Sequence, residues 1–378
     1  MLSVLDIAIV FLYAISLFAL AQWVSQEESG YQKNAQDYFL AGKSLPWWAI
    51  GASLIAANIS AEQIIGMSGS GYAIGLAIAS YEWMAAITLI LVGKFLLPIF
   101  LKRGIYTMPQ FLEQRYDHKV RMVMACFWLG VYIFVNLTSV LWLGALAMNT
   151  VVGLDIVLSM VLLGGFAVSY SLYGGLKAVA FTDIIQVLVL VLGGLMIAWV
   201  LLDTVAAGEG ILKGFQLLTD RAPEKFDLIL SPDNPHYMSL PGLSVLLGGM
   251  WIMNISYWGF NQYIIQRALA ARNLKEAQKG IAFAAFLKLL MPVIVVLPGI
   301  AIFVLSPTLT VPDQAYPEAM MLLPSGIKGL VFAALLAAIV SSLASMTNSI
   351  ATIFTLDIYP SFSTGSDISS NRVKVGRM

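Results

Sequence analysis

Residues 51–63 read GASLIAANISAEQ and residues 248–262 read GGMWIMNISYWGFNQ. Each stretch places a glycine several residues before Asn-Ile-Ser in the middle of a long apolar run, and each continues into polar residues. Polar groups at that depth are costly unless the helix is interrupted to line a cavity. A helical membrane span takes about 20 mostly apolar residues, and the chain offers nine such runs: 4–22, 47–73, 78–101, 122–148, 153–173, 181–202, 240–266, 280–305 and 327–352. The two motifs fall in spans two and seven. Five spans apart, they cross the bilayer in opposite directions. An inverted five-helix repeat whose first helices are interrupted is the signature of a secondary transporter with its site at the midplane.

The composition agrees with a membrane solvent. Apolar residues make up 59% of the chain and charged ones 11%, with a mean hydropathy of +0.84. A soluble domain of this length has no means of hiding that much apolar surface. The first run has no basic residue before it and no small-residue cleavage site, so it reads as a retained helix. The single cysteine, Cys126, cannot form an internal disulfide. His118 and His236 fall in loops, and no Cys/His cluster points to a metal or haem. A net charge of zero gives no argument for nucleic acid, and no nucleophile–base pair points to an enzyme.

Charge placement orients the spans. With the N-terminus outside, 15 of the 21 Lys and Arg residues fall in inside loops: Lys33, Lys43, Lys102, Arg103, Arg115, Lys119, Arg121, Lys177, Arg267, Arg272, Lys275, Lys279, Arg372, Lys374 and Arg377. Lys213, Arg221, Lys225 and Lys328 fall outside, and Lys94 and Lys288 lie within spans. This is the asymmetry of the positive-inside rule, and it puts the C-terminus inside. The long link at 203–240 and the segment TLTVPDQAYPEAMMLLPSG (308–326) become outside loops, either simple connectors or covers for an outer entrance.

The polar residues within spans are candidates for function. Glu62 and Gln63 follow Asn58-Ile59-Ser60. If the helix unwinds there, its carbonyls can bind a cation and Gln63 can face a cavity; alternatively, the amides staple neighbouring helices. Glu82, in SYEWMAA, is either a ligand or a carboxylate reaching headgroup water, and Tyr81 and Trp83 are equally suited to an aromatic belt. Lys288 lies about 12 Å of helix rise into span eight, too deep to snorkel, and calls for a partner. Lys94, near the span's end, can snorkel. Asn254, Tyr257, Trp258, Asn261 and Gln262 crowd span seven. Amides and an aromatic face suit a hydroxyl-rich ligand such as a sugar. Asp183 starts span six, as a helix-start carboxylate does. Ser341, Ser342, Ser345 and Asn348 form a stripe on span nine that serves either close helix packing or a sodium ion, which needs about five or six hard oxygens.

Together the segments DYFLAGKSLPWWAIGASLIAANISAEQ (37–63), SYEWMAA (80–86), YSLYGGLKAVAFTDIIQ (170–186), WGFNQYIIQRALAA (258–271) and VFAALLAAIVSSLASMTNS (331–349) resemble the sodium–solute symporter family, and most closely its bacterial sodium/galactose (sodium/glucose-type) members. The resemblance implies an all-α polytopic membrane protein with a LeuT-like core of inverted five-helix repeats, in a bacterial inner membrane. It implies alternating-access import of a sugar driven by Na⁺, the coupling ion, with no organic cofactor. Sugar contacts would be Gln63, Glu82, Asn254 and Lys288. An inner stacking gate would lie at Tyr257 beside Trp258, and an outer gate at Met67 and Tyr81. Sodium would be held by the carbonyls of Ala56, Ile59 and Ala338 and the hydroxyls of Ser341 and Ser342, with Asp183 on its exit path. Galactose-type members carry Ser where this chain has Ala85, which removes one hydroxyl contact.

On this frame residues 4–22 are an extra N-terminal helix, 47–202 the first repeat, 203–239 an outside loop, 240–352 an incomplete second repeat and 353–378 an inside tail. The core is then truncated after about nine helices. The two helices it lacks would carry a further glutamine ligand and an outer-gate phenylalanine, so the expectation for this chain alone is an unstable or inactive product. The alternatives are a non-transporting fragment, a transporter-like sensor, or a sodium symporter for another polar solute.

Overall fold

The computed structural model describes residues 2–26, 34–240, 242–362 and 368–377. Lys33 of the charge count lies outside the described residues, as do the side chains of Tyr170, Leu172, Tyr173 and Gly174 in the YSLYGG block. The chain is helical through its apolar runs apart from short interruptions, chiefly at Ile59 and Asn261. Span one is Val4–Ser25, span three Leu76–Arg103, span four His118–Val152, span six Gly175–Val205, span seven Gly242–Phe260, span eight Leu274–Leu305 and span nine Ile327–Phe362. Span two is two helices, Trp47–Asn58 and Glu62–Ala73, bent by 65°. Span five is the shorter apolar helix Ile156–Ser169. It runs on towards span six until Gly175, where φ of +59° turns the chain. Only glycine fits there: the conformation is left-handed, and a Cβ would overlap the carbonyl oxygen of Tyr38.

The repeat expected from the two Asn-Ile-Ser motifs is visible in the packing. Span two lies along span eight, and span seven lies along span three, the pairing that two inverted units exchange. Spans three and eight also share a local feature that hydropathy conceals. Each contains a widened five-residue turn, Val92–Leu96 and Pro292–Val296, directly before Leu97-Pro98 or Leu297-Pro298. Proline has no N–H to return to the preceding turn, so the winding loosens just ahead of it. Glycine lets spans two and eight touch: a Cβ on Gly51 would lie 2.7 Å from the carbonyl oxygen of Gly280. In lipid such backbone proximity, rather than a hydrophobic drive, holds helices together.

Span nine is the central column, with 89% of its apolar window buried, against 17% for span four and 22% for span seven. Its start is capped by another helix. Asp6 of span one, 1% exposed, accepts hydrogen bonds from Gly326 N (2.7 Å) and Gly329 N (2.8 Å), while Ser3 completes a capping box on the same carboxylate. The first amides of span nine, which have no partner within their own helix, are thereby satisfied.

By the order of the spans, Lys43, Lys102, Arg103, Arg115, Lys119, Arg121, Arg272, Lys275 and Lys279 fall at the same end of the molecule, the basic end. There Arg121 joins three elements. Its Nε donates to Asp357 Oδ1 (2.9 Å), one Nη to Glu113 Oε2 (2.6 Å) and the other to the Leu356 carbonyl (2.7 Å), and Thr107 Oγ1 also donates to Asp357 (3.0 Å). The Asp357 side chain has no solvent exposure. Arg121→Ala would leave its carboxylate buried and unpaired, an expected loss of about 3–5 kcal/mol. A lower melting temperature in detergent, partly restored by adding Asp357→Asn, checks this; an unchanged melting temperature would refute the pairing.

Candidate functional site

The site is built around the interruption of span two. The first half ends at Asn58, Ile59 is extended (φ −81°, ψ 102°), and helix resumes after Ala61. The last carbonyls of the first half have no helical amides following them, so a partner must come from elsewhere. Span nine supplies it. The Ser342 hydroxyl, fully buried, lies 3.2 Å from the Ala57 carbonyl and 3.4 Å from that of Ile59. Ala338, one turn before Ser342 on the same face, and Ala56 are buried with it. These are hard oxygens, the donor class that suits Na⁺. Ser342 and Ile59 of the expected sodium set thus meet, and Ala57 joins them. Ser341 is directed elsewhere: its hydroxyl donates to Asp183 Oδ1 at 2.6 Å.

A cavity of about 250 Å³ opens beside the break. Its walls include Asn58, Ser60, Glu62 and Gln63 from span two, Tyr81, Glu82 and Ala85 from span three, Asn136 from span four, Asn254, Tyr257 and Trp258 from span seven, Tyr263 beyond it, and Lys288 from span eight. Glu82 and Lys288 are each 1% exposed and form an ion pair of 2.6 Å. The remaining Glu82 oxygen accepts from the Gln63 amide. The Lys288 ammonium stands 5.3 Å from the Trp258 ring centroid, within cation–π range. Glu82 therefore does not reach headgroup water, and Lys288 has the partner that its depth requires.

Tyr257 ties the two interrupted spans together. Its hydroxyl accepts from Asn58 Nδ2 (2.9 Å) and shares a hydrogen bond with Tyr263 (2.6 Å), and its ring meets Trp258 edge-on at 5.2 Å. Asn58 Oδ1 is buried with no hydrogen-bond partner among the described residues, and so remains available to a ligand. Asn254 donates to the Met250 carbonyl one turn back, at 3.0 Å. Met67, expected at an outer gate, is buried among core side chains and does not line the cavity; Tyr81 does. Asn136 escaped notice in the sequence. Its signal was there: it is the only amide in the apolar stretch 122–148.

At three places the structure departs from what the sequence leads one to expect. The Asn-Ile-Ser of span seven is not a break. Helix continues to Phe260, because Asn254 bonds back within a regular turn, and the interruption falls at Asn261 (φ −77°, ψ 121°). There Tyr132 holds it, donating to Asn261 Oδ1 (2.7 Å) and accepting from Gln262 N (3.0 Å). Asp183 does not sit at a helix start. It lies well inside Gly175–Val205, fully buried, accepting from Ser53 (2.5 Å) and Ser341 (2.6 Å). Arg267 is not a loop residue: it is fully buried, its guanidinium 4.0 Å from Asp183, donating to Ser53, Ser345 and the Tyr263 carbonyl. A charge next to an opposite charge inside the fold leaves no trace in a loop count.

The sodium:solute symporter family matches residues 38–377 of this chain. The sodium/glucose cotransporter of Vibrio parahaemolyticus is 55% identical over the whole chain, and the chain covers 72% of it. An uncharacterized symporter of Escherichia coli, YidK, is 38% identical over 91% of the chain, which covers 61% of that protein. Among solved structures, the substrate-bound outward-open state of a Na⁺-coupled sialic acid symporter, described with a novel Na⁺-site, superposes with a TM-score of 0.87 at 26% identity, over 99% of this chain and 79% of that one. With its broken spans two and seven and its paired packing, the chain belongs to the sodium:solute symporter family.

Proposed function

We propose that the chain is the binding core of a sodium-coupled sugar symporter that works by alternating access, with no covalent chemistry. The observation that carries this is the Gln63–Glu82–Lys288 group, set in a cavity beside the break of the same helix that faces Ser342. Gln63, Glu82, Asn254 and Lys288 would exchange hydrogen bonds with sugar hydroxyls, joined by Asn58 and Asn136, while Tyr257 and Trp258 cover the apolar face of the ring. Ile59 and Ser342, with Ala57 and the carbonyls of Ala56 and Ala338, would hold Na⁺; the Ser341 oxygen would add to them while its hydroxyl still donates to Asp183, and Asp183 would receive the ion on the way in. Because sodium and sugar share span two, ordering the break with one ligand favours the other. The basic end would face the cytoplasm and the N-terminus the outside.

Charge separates a neutral sugar from an acidic solute such as the sialic acid of the structural relative. Lys288 is the only cationic side chain among the described lining residues, and Glu82 already neutralises it at 2.6 Å. A carboxylate entering the cavity would find no spare cation and would meet Glu62 as well. Ala85 offers no hydroxyl, so the preferred sugar is one that forgoes a contact at that wall.

The protein reconstituted in vesicles should bind glucose more tightly as sodium rises, and bind sodium more tightly as glucose rises, by the same factor. A glucose affinity that stays flat across a sodium titration would sink the coupling. Within that scheme, Gln63→Ala is expected to weaken glucose binding about tenfold, the share of one hydrogen bond to a charged network. Ser342→Ala should raise the sodium half-saturation while high sodium restores glucose binding. Normal transport by both variants would remove those two residues from their roles.

A further inference from the structure

The link between spans six and seven is more than a connector. Lys225 on this link is only 8% exposed. Its ammonium donates to the carbonyl of Ala73, the last residue of span two, at 2.7 Å, and stands 4.1 Å from the Phe303 ring centroid of span eight. Burial pulls the amine below the ordinary lysine value, against the nearby Glu224 charge. The backbone fits as closely as the side chain. Gly75, at φ +96°, lies against Lys225 so tightly that a Cβ would overlap its carbonyl oxygen.

Further along, the same link closes over the same turn. Leu230 and Leu240 are buried in one cluster with Ala77, Met84 and Met250, with Tyr81 and Tyr237 packed against it. Through Lys225 the link thus holds Ala73 and Gly75, and through Leu230 and Leu240 it packs in the cluster that contains Ala77 of the turn Leu76–Ala79. That turn leads straight into Ser80–Leu91, whose first turn carries Tyr81 and Glu82.

We propose that Lys225 is a positioning residue for the solute site: by clamping the turn ahead of span three it fixes Tyr81 and Glu82, and so sets how tightly the solute is held. The proposal rests on the sugar-site reading above. In the reconstituted protein, Lys225→Met is expected to raise the glucose half-saturation about tenfold at saturating sodium, with sodium binding in the absence of glucose unchanged. Lys225→Arg should recover most of that loss, since it restores a cation to the carbonyl and the ring. An unchanged glucose half-saturation, or an equal loss of sodium binding, would overturn the proposal.

A second measurement does not depend on sugar. Ala77 has no solvent exposure and belongs to the same buried cluster as Leu230 and Leu240. In a Cys126→Ser background, Ala77→Cys should react slowly with a membrane-impermeant maleimide, and Lys225→Met should speed the reaction about tenfold. Equal labelling rates with and without Lys225 would show that the clamp does not depend on it. Should the unmodified protein bind no glucose, the functional reading fails, and the labelling rates alone decide the clamp.

Discussion

A helix interrupted inside hydrocarbon must have its backbone satisfied by protein, because no water is present to do it. In this chain the break at Ile59 and Ser60 meets that requirement by bringing span nine's Ser342 to the Ala57 and Ile59 carbonyls. Much else follows from this contact. It makes span nine the buried column, it aligns the oxygens of Ala57, Ile59 and Ser342, and it leaves the second half of span two free to present Gln63 to the cavity. The bend and the site are one feature.

Two buried charge pairs divide the interior into separate regions. Glu82 and Lys288 belong to the cavity wall, whereas Asp183 and Arg267 sit behind the sodium-type oxygens with Ser53, Ser341 and Ser345. Within each pair the two charges cancel, as a low-dielectric interior requires of fully buried ions. The pairs also join different spans, three with eight and six with the segment after seven. Relative movement of those spans therefore has to proceed by exchanging partners rather than by exposing a bare charge.

Much of this was legible in the sequence, and the omissions have physical reasons. Hydropathy found the apolar runs, and residue type at depth picked out Gln63, Glu82 and Lys288, since buried polar groups need a use. Which partner each takes was not legible: Glu82 and Lys288 are 206 residues apart, and nothing local relates them. The break in span seven was misplaced for a similar reason. Asn254 and Asn58 look alike as letters, but one bonds back into its own helix and the other reaches across to Tyr257. Arg267 was assigned by counting loops, and a count does not register a guanidinium turned inward. The Leu-Pro pair at 97 and 297 is the reverse case, a plain sequence signal of the repeat that hydropathy averages away.

The cap that Asp6 places on span nine has a consequence in time. The carboxylate and its amide partner are 320 residues apart, so at about 5–20 residues per second the ribosome takes roughly a quarter of a minute to a minute to deliver Gly326 after Asp6 has emerged. Throughout that interval span one carries an acid whose own helix provides only Ser3 and the first-turn backbone. Its final seat comes into being only when the ninth span enters the membrane. Span one is thus locked only when span nine arrives, and the joining of the two reports that the intervening spans have been assembled in register.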